Sequence, residues 1–162
     1  MKRIEGIVLT AALLALAARA AGEGVPQPAT PSPAKAVEIT VYRSPSCGCC
    51  GKWLEHMKAN GFNVKDITVG GMDKIKDQYG VPENLWSCHT AVVDGYVVEG
   101  HVPAQDVRDL LKLRPKDAAG LAVPGMTVGS PGMEMGGRKD PFDAVEFDKQ
   151  GNVRVKHEYR SY

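Results

Sequence analysis

The chain has no surplus of charge of either sign: 20 lysines and arginines stand against 19 aspartates and glutamates, for a formal net charge of +1. No basic block stands out, so nothing is offered to a polyanion and nucleic acid is not an expected partner. The chain also lacks an apolar run long enough to cross a bilayer. Its most apolar stretch, Ile7 to Ala18, is closed by Arg19, short of the roughly 20 residues a spanning helix needs. No membrane span is therefore expected in the mature chain. Cysteine is scarce, with four residues, three of them packed into Cys47, Cys49 and Cys50. Neighbouring cysteines bridge only with strain, which argues against two structural disulfides and for a redox or metal site. The length of 162 residues suits one domain with a single core.

The first residues read as an address. Lys2 and Arg3 form a charged start, Ile7 to Ala18 an apolar middle, and Ala18-Arg19-Ala20 a small-residue cleavage site. This is the pattern of a signal peptide over residues 1–20, and it predicts export. No cysteine stands at the cleavage site to carry a lipid anchor, so a soluble periplasmic protein is expected. Residues 21–36 contain Pro26, Pro28, Pro31 and Pro33 and read as a Pro/Ala-rich linker. Residues 37–162 form the remaining, folded domain.

Within that domain Val37 to Arg43 reads as a strand. A helix is expected from Cys50 to the stop at Gly61, with Trp53, Leu54 and Met57 on its apolar face. Met57 is read as core and His56 as solvated. Phe62 to Val69 reads as a second strand, Met72 to Tyr79 as a short helix ending at Gly80, and Val81 to Ser87 as a loop delivering Cys88 and His89. Two apolar strands follow about Asp94-Gly95, a strong hairpin signal. Pro103 opens a further helix with Val107, Leu110 and Leu111 on one face, and His101 before it is read as structural or exposed. The chain from Pro115 through Gly137 is read as a long Gly/Pro-rich loop carrying Met126, Met133 and Met135. Phe142 to Asp148 and Asn152 to Tyr159 form a C-terminal β-hairpin that extends the sheet or covers its edge, with His157 exposed on it.

The order β-α-β-α-β-β-α with Cys47-x-x-Cys50 after the first strand resembles the thioredoxin-like fold over about residues 37–114. The predicted class is α/β, thioredoxin-like, with an added Met/Gly/Pro-rich loop and a C-terminal β-hairpin. Thioredoxins place a cis-proline opposite the dithiol. Here His89-Thr90, preceded by Cys88, occupies that place, which brings a thiol and an imidazole towards the cluster.

Thiolates and thioethers are soft ligands that select monovalent copper over hard divalent ions. The candidate metal ligands are Cys47 and Cys50 at the helix start, Cys88 from the facing loop, and Met126, Met133 and Met135, with His89 completing or orienting the shell. Cys49 is expected to point another way and ranks lower. Neighbouring thiolates can bridge ions, so a polynuclear copper site, cycling between Cu(I) and Cu(II), is among the expectations. Zinc suits cysteine-rich sites equally, and the thioethers tip the balance to copper. The rival reading is a thiol–disulfide oxidoreductase with Cys47 and Cys50 as its catalytic pair, since helix N-termini favour thiolates.

Four stretches carry a closer resemblance: Cys47-Gly-Cys-Cys-Gly-Lys-Trp, Ser87-Cys-His-Thr-Ala, Val97-Val-Glu-Gly-His-Val-Pro, and Val123-Pro-Gly-Met-Thr-Val-Gly-Ser-Pro-Gly-Met-Glu. Together they resemble the CopG-type, thioredoxin-like periplasmic proteins of copper resistance. The resemblance implies a copper-binding protein with copper oxidoreductase activity; a non-catalytic metallochaperone is a further reading. It implies Cys47, Cys50 and Cys88 as ligands, then Met126 and Met133. Copper efflux or electron-transfer proteins are the protein partners expected of such roles. Thr127 stands where that pattern leads one to expect proline.

Overall fold

The computed structural model describes residues 36–161. The signal peptide read at residues 1–20 and all but the last residue of the linker lie outside the described residues. The chain forms a mixed α/β structure built on one seven-stranded sheet in the order β2-β1-β3-β4-β5-β6-β7. The strands are β1 Val37–Arg43, β2 Phe62–Thr68, β3 His89–Val93, β4 Tyr96–Gly100, β5 Ala118–Val123, β6 Phe142–Asp148 and β7 Val153–Tyr159. Three helices connect them: α1 Gly48–Ala59, α2 Met72–Gln78 and α3 Ala104–Leu113, with a one-turn 3-10 helix at Glu83–Leu85. Among the described residues no helix is long and apolar enough to cross a membrane.

Strand β1 runs parallel to β2, antiparallel to β3, and β4 is antiparallel to β3. The β3–β4 turn is Asp94-Gly95, with φ of 48° and 86°. This left-handed pair matches the twist of a two-residue hairpin, and Gly95 adopts it without steric cost.

Alternation along the strands divides the interior into two layers. Ile39, Val41, Ala91, Val98 and Leu121 face α1 and α3, where Trp53, Leu54, Met57, Val107 and Leu110 pack on them. Their neighbours Val97, Ala122 and Val145 face the opposite side with Phe147, Val81 and Leu85. Such period-2 sorting is what a sheet covered on both faces requires. Trp53 is fully buried and its indole Nε1–H donates to the Val102 carbonyl at 2.9 Å. The largest fully buried side chain thereby ties α1 to the segment entering α3.

One strand departs from the sequence reading. Ala118–Val123 forms β5, parallel to β4 and antiparallel to β6, where a structureless run was expected. Its residues are small (Ala-Ala-Gly-Leu-Ala-Val) and almost all buried, so neither alternation nor strand propensity marks them. Gly120 is required there: a Cβ would run into the Val97 carbonyl of β4. Through β5 the last two strands join the sheet edge to edge, and the methionine-bearing loop is the excursion from β5 to β6. His56 also differs from its reading. It is half-buried, and its Nε2 accepts the Ala104 N–H at 3.1 Å, capping one of the unpaired donors at the start of α3. His157 is exposed, with its Nδ1 3.1 Å from Asp106.

Candidate metal and thiol site

The cysteine cluster lies where β1 hands over to α1. Cys47 is the N-cap residue of α1, in an extended conformation and without a side-chain cap. Its sulfur instead closes a disulfide with Cys50, one helical turn on, with a Cα–Cα separation of 5.4 Å. Spacing i to i+3 puts both sulfurs on one face of a helix start. Cys50 is fully buried, while Cys47, Cys49 and Cys88 are partly exposed.

Cys49 does not point away. Its Sγ lies 3.5 Å from Cys47 Sγ and 3.9 Å from Cys88 Sγ. The reason is the position of Cys88, on the segment entering β3, beside the exposed flank of the first α1 turn. All four sulfurs fall within 4.8 Å of one another.

Cys88 also belongs to a second group. Its sulfur, His89 and His101 offer ligand atoms within 4.8 Å of each other. His101, read from sequence as structural or exposed, is fully buried, with Nε2 2.9 Å from Cys88 Sγ. Its Nδ1 lies 2.7 Å from the Pro131 carbonyl. A carbonyl only accepts, so the proton sits on Nδ1 and Nε2 presents a lone pair to Cys88. Burial lowers the His101 pKa, against opposing effects of the Pro131 carbonyl and Glu134. Burial, followed by the charge of Cys49, pushes the Cys88 thiol up to about 12. The pair is therefore a neutral thiol donating to a neutral imidazole.

His89 lies tilted against Trp53 with ring centroids 4.4 Å apart, and meets His101 edge-on at 5.0 Å. Burial holds its pKa well below the usual value, helped by His101 and Lys76 and opposed by the Gly100 backbone. Its Nδ1 is 3.4 Å from Cys88 Sγ. Its Nε2 is buried with no well-formed hydrogen bond. A neutral imidazole with an unsatisfied buried nitrogen costs free energy unless something completes it.

The segment carrying Cys88 is anchored from behind. Glu99, fully buried on β4, accepts the Ser87 N–H at 2.6 Å and the Thr90 hydroxyl at 2.7 Å, and pairs with the buried Lys76 ammonium. Ser87 is in turn bridged to Gly125, and the Trp86 carbonyl accepts the Gly125 N–H at 3.2 Å.

The methionine loop closes the site from the other side. Gly132, with φ of 84°, lies so close to α1 that a Cβ there would sit 2.7 Å from Trp53 N and 3.0 Å from Cys49 O. Met133 and Met135 share an open pocket with Cys49, Lys52 and Glu134. Met135 is 63% exposed and Met126 62% exposed. Met126 follows Gly125, the residue bridged to Ser87. The loop thus gathers Met133 and Met135 at the Cys49 side. Sequence reasoning missed His101 as a site member. The signal available was the His-Val-Pro run two residues beyond Glu99, where a polar ring sits between buried strand and helix.

The donor set suits a soft cation. Four sulfurs, two neutral imidazoles and nearby thioethers match monovalent copper in charge and polarisability. Two of the sulfurs are held in a disulfide, so they become ligands only once that bond is broken.

No curated protein sequence matches the chain significantly. Residues 85–133 match a family model described as "Protein of unknown function, DUF411". Two solved structures are similar. One, described as "Copper resistance protein copG- Form 2", is 49% identical with a TM-score of 0.72, over 76% of this chain and 98% of that one. The other, "Copper resistance protein copG- Form 1", is 47% identical with a TM-score of 0.74, over 78% of this chain and 99% of that one. At such identity over nearly the full length of those proteins, the chain belongs to the CopG family of copper resistance proteins.

Proposed function

We propose that this chain is an exported, thioredoxin-like, periplasmic copper protein that binds Cu(I) through cysteine and methionine ligands and acts in copper resistance. The observation that carries the reading is the convergence of the sulfurs of Cys47, Cys49, Cys50 and Cys88 within 4.8 Å, next to His89 and His101. Copper is its cargo and, if its oxidation state is changed there, its substrate. Sulfurs this close can each bridge two ions, which supports a polynuclear site. The thioredoxin-like assignment is supported by the order β2-β1-β3-β4 with β3 antiparallel to the other three, and by the cysteine pair at the head of α1. Cys47, Cys49, Cys50 and Cys88 are the core ligands, His101 and His89 the imidazole donors, and Met133, Met135 and Met126 the outer thioethers that meet copper on its way in or out. Export rests on the sequence of residues 1–20.

The decisive experiment is anaerobic Cu(I) titration of the fully reduced protein against a chromophoric chelator, repeated on the Cys47–Cys50 disulfide form. The reduced form should bind copper at least about 100-fold more tightly, since ligation needs thiolates. The Met126→Ala/Met133→Ala variant should bind more weakly with unchanged stoichiometry. No copper above background in the reduced form would sink the proposal. Oxidation of Cu(I) or reduction of Cu(II) by the loaded protein, with an electron partner supplied, separates a copper oxidoreductase from a carrier.

A second reading is favoured by one observation, the Cys47–Cys50 disulfide itself. It makes the chain a thiol–disulfide oxidoreductase acting on protein substrates. Reduction of a model protein disulfide that persists in Cys88→Ser would favour it.

A further inference from the structure

We infer that the four cysteines form an intramolecular disulfide relay, in which Cys49 carries the bond from Cys47–Cys50 to Cys49–Cys88. The geometry is that of a bucket line. The bond stands between Cys47 and Cys50, and the free sulfur of Cys49 waits 3.5 Å from Cys47 Sγ and 3.9 Å from Cys88 Sγ. Disulfides move by attack of a thiolate on one sulfur of an existing bond. Cys49 is the sulfur that has both an electrophile and a successor nucleophile in contact.

Two exchanges suffice. In the first, the Cys49 thiolate attacks Cys47 Sγ. The Cys47–Cys49 bond forms, the Cys47–Cys50 bond breaks, and the electron pair leaves on Cys50, which takes up a proton as Cys49 gave one up. Cys50 Sγ already lies 3.7 Å from the Cys88 carbonyl, so the released thiol has an acceptor. In the second, Cys88 attacks Cys49 Sγ. Its proton passes to His101 Nε2, 2.9 Å away, the Cys49–Cys88 bond forms, and Cys47 leaves with the electron pair and collects a proton. One disulfide and two thiols stand on each side of the sum. No oxidant, reductant or metal is consumed.

The surroundings permit the motion. Gly48 and Gly51 flank the cluster in the first turn of α1, with nothing within 4 Å of where their Cβ atoms would be. Bond formation asks each sulfur pair to close to about 2 Å, a displacement on the scale of a rotamer change. The outcome is a protein whose oxidised form is not locked. Cys47 and Cys50 return as thiols without an external reductant, and the oxidising equivalent is parked on the far side of the site. This inference does not rest on copper, and its test contains none.

Trypsin makes the test clean. Cleavage after Arg43 and Lys52 leaves Cys47, Cys49 and Cys50 on one peptide, and cleavage after Lys76 and Arg108 leaves Cys88 on another. The native disulfide therefore joins no two peptides, and the relay product does. The chain carrying one disulfide is incubated anaerobically at pH 8 with copper chelators, then acid-quenched, alkylated, digested and weighed. The peptide pair 44–52/77–108 should accumulate in monomeric protein, at least about tenfold more than in Cys49→Ser. A Cys50→Ser chain, checked for folding by near-UV circular dichroism and oxidised with one equivalent of diamide, should crosslink Cys49 to Cys88. Equal crosslinking in Cys49→Ser overturns the role of Cys49. A Cys88 that stays fully alkylatable in both chains, or a crosslink confined to disulfide-linked dimers, overturns the relay.

Discussion

Glu99 offers the sharpest test of how the site is held. Its carboxylate is fully buried and meets three donors: the Lys76 ammonium, the Thr90 hydroxyl and the Ser87 N–H. Glu99→Gln removes the charge while keeping the shape. Lys76, itself only 2% exposed, then keeps its charge with the Thr90 hydroxyl at 3.3 Å and a neutral amide. Breaking a buried pair by neutralising one partner costs about 3–5 kcal/mol. Against a total stability of about 5–15 kcal/mol, that is about a fifth or more of the fold. With a urea m-value of about 1.5–2 kcal/mol/M, the midpoint should fall by about 2 M. Lys76→Met/Glu99→Gln removes both charges together, so it should recover at least about 2 kcal/mol relative to the sum of the single changes. Urea unfolding followed by Trp fluorescence measures all four corners of the cycle. A loss below about 1 kcal/mol for Glu99→Gln, with no coupling in the cycle, would refute the argument that this carboxylate compensates a buried ammonium.

Three further outcomes follow from the same geometry. Burial holds His89 and His101 below the usual value of 6.5, so below pH 6.5 the unfolded chain binds protons that the folded chain does not. Stability of the metal-free protein is therefore full above about pH 7 and falls by up to about 1.4 kcal/mol per pH unit per histidine as pH drops, until each folded-state pKa is passed; a denaturation profile flat from pH 7 to 5 would contradict this. Cys88, with its thiol raised from 9.0 to about 12, should alkylate at pH 8 about a thousandfold more slowly than a cysteine of ordinary pKa, and iodoacetamide kinetics within tenfold of the denatured chain would overturn the assignment. Gly132→Ala should lose about 1–3 kcal/mol of stability from its positive φ and its contact with the α1 backbone, and weaken Cu(I) binding about tenfold in the chelator titration; unchanged values would show the loop rests elsewhere.

The elements with strong periodicity were legible. Trp53, Leu54 and Met57 announced the buried face of α1, Asp94-Gly95 the β3–β4 turn, and Val107 and Leu110 the packed face of α3. β5 was not, because burial on both faces by alanine and glycine erases the alternation that marks a strand. The cysteines were legible as a cluster, but the direction of Cys49 depended on where the β3 segment crosses the head of α1. His101 was the largest omission: its burial comes from Pro131 and Cys88, which lie 30 residues later and 13 residues earlier in the chain. Lys76 was hidden likewise, because a lysine on a short helix reads as solvated unless its buried partner Glu99 is known.

The position of β5 bears on how freely the methionine loop can vary. The loop leaves the sheet at Val123 and returns at Phe142, and the strands at its two ends are hydrogen-bonded neighbours, with Ala122 opposite Val145. Its base is thus clamped shut whatever happens at its tip. Adding or deleting residues at the tip leaves the strand register untouched, and each doubling of a loop costs only about 0.6 kcal/mol in closure entropy. The loop behaves like a visor hinged on two adjacent strands, whose length and methionine content can be retuned while the sheet and the cysteine floor beneath it stay as they are.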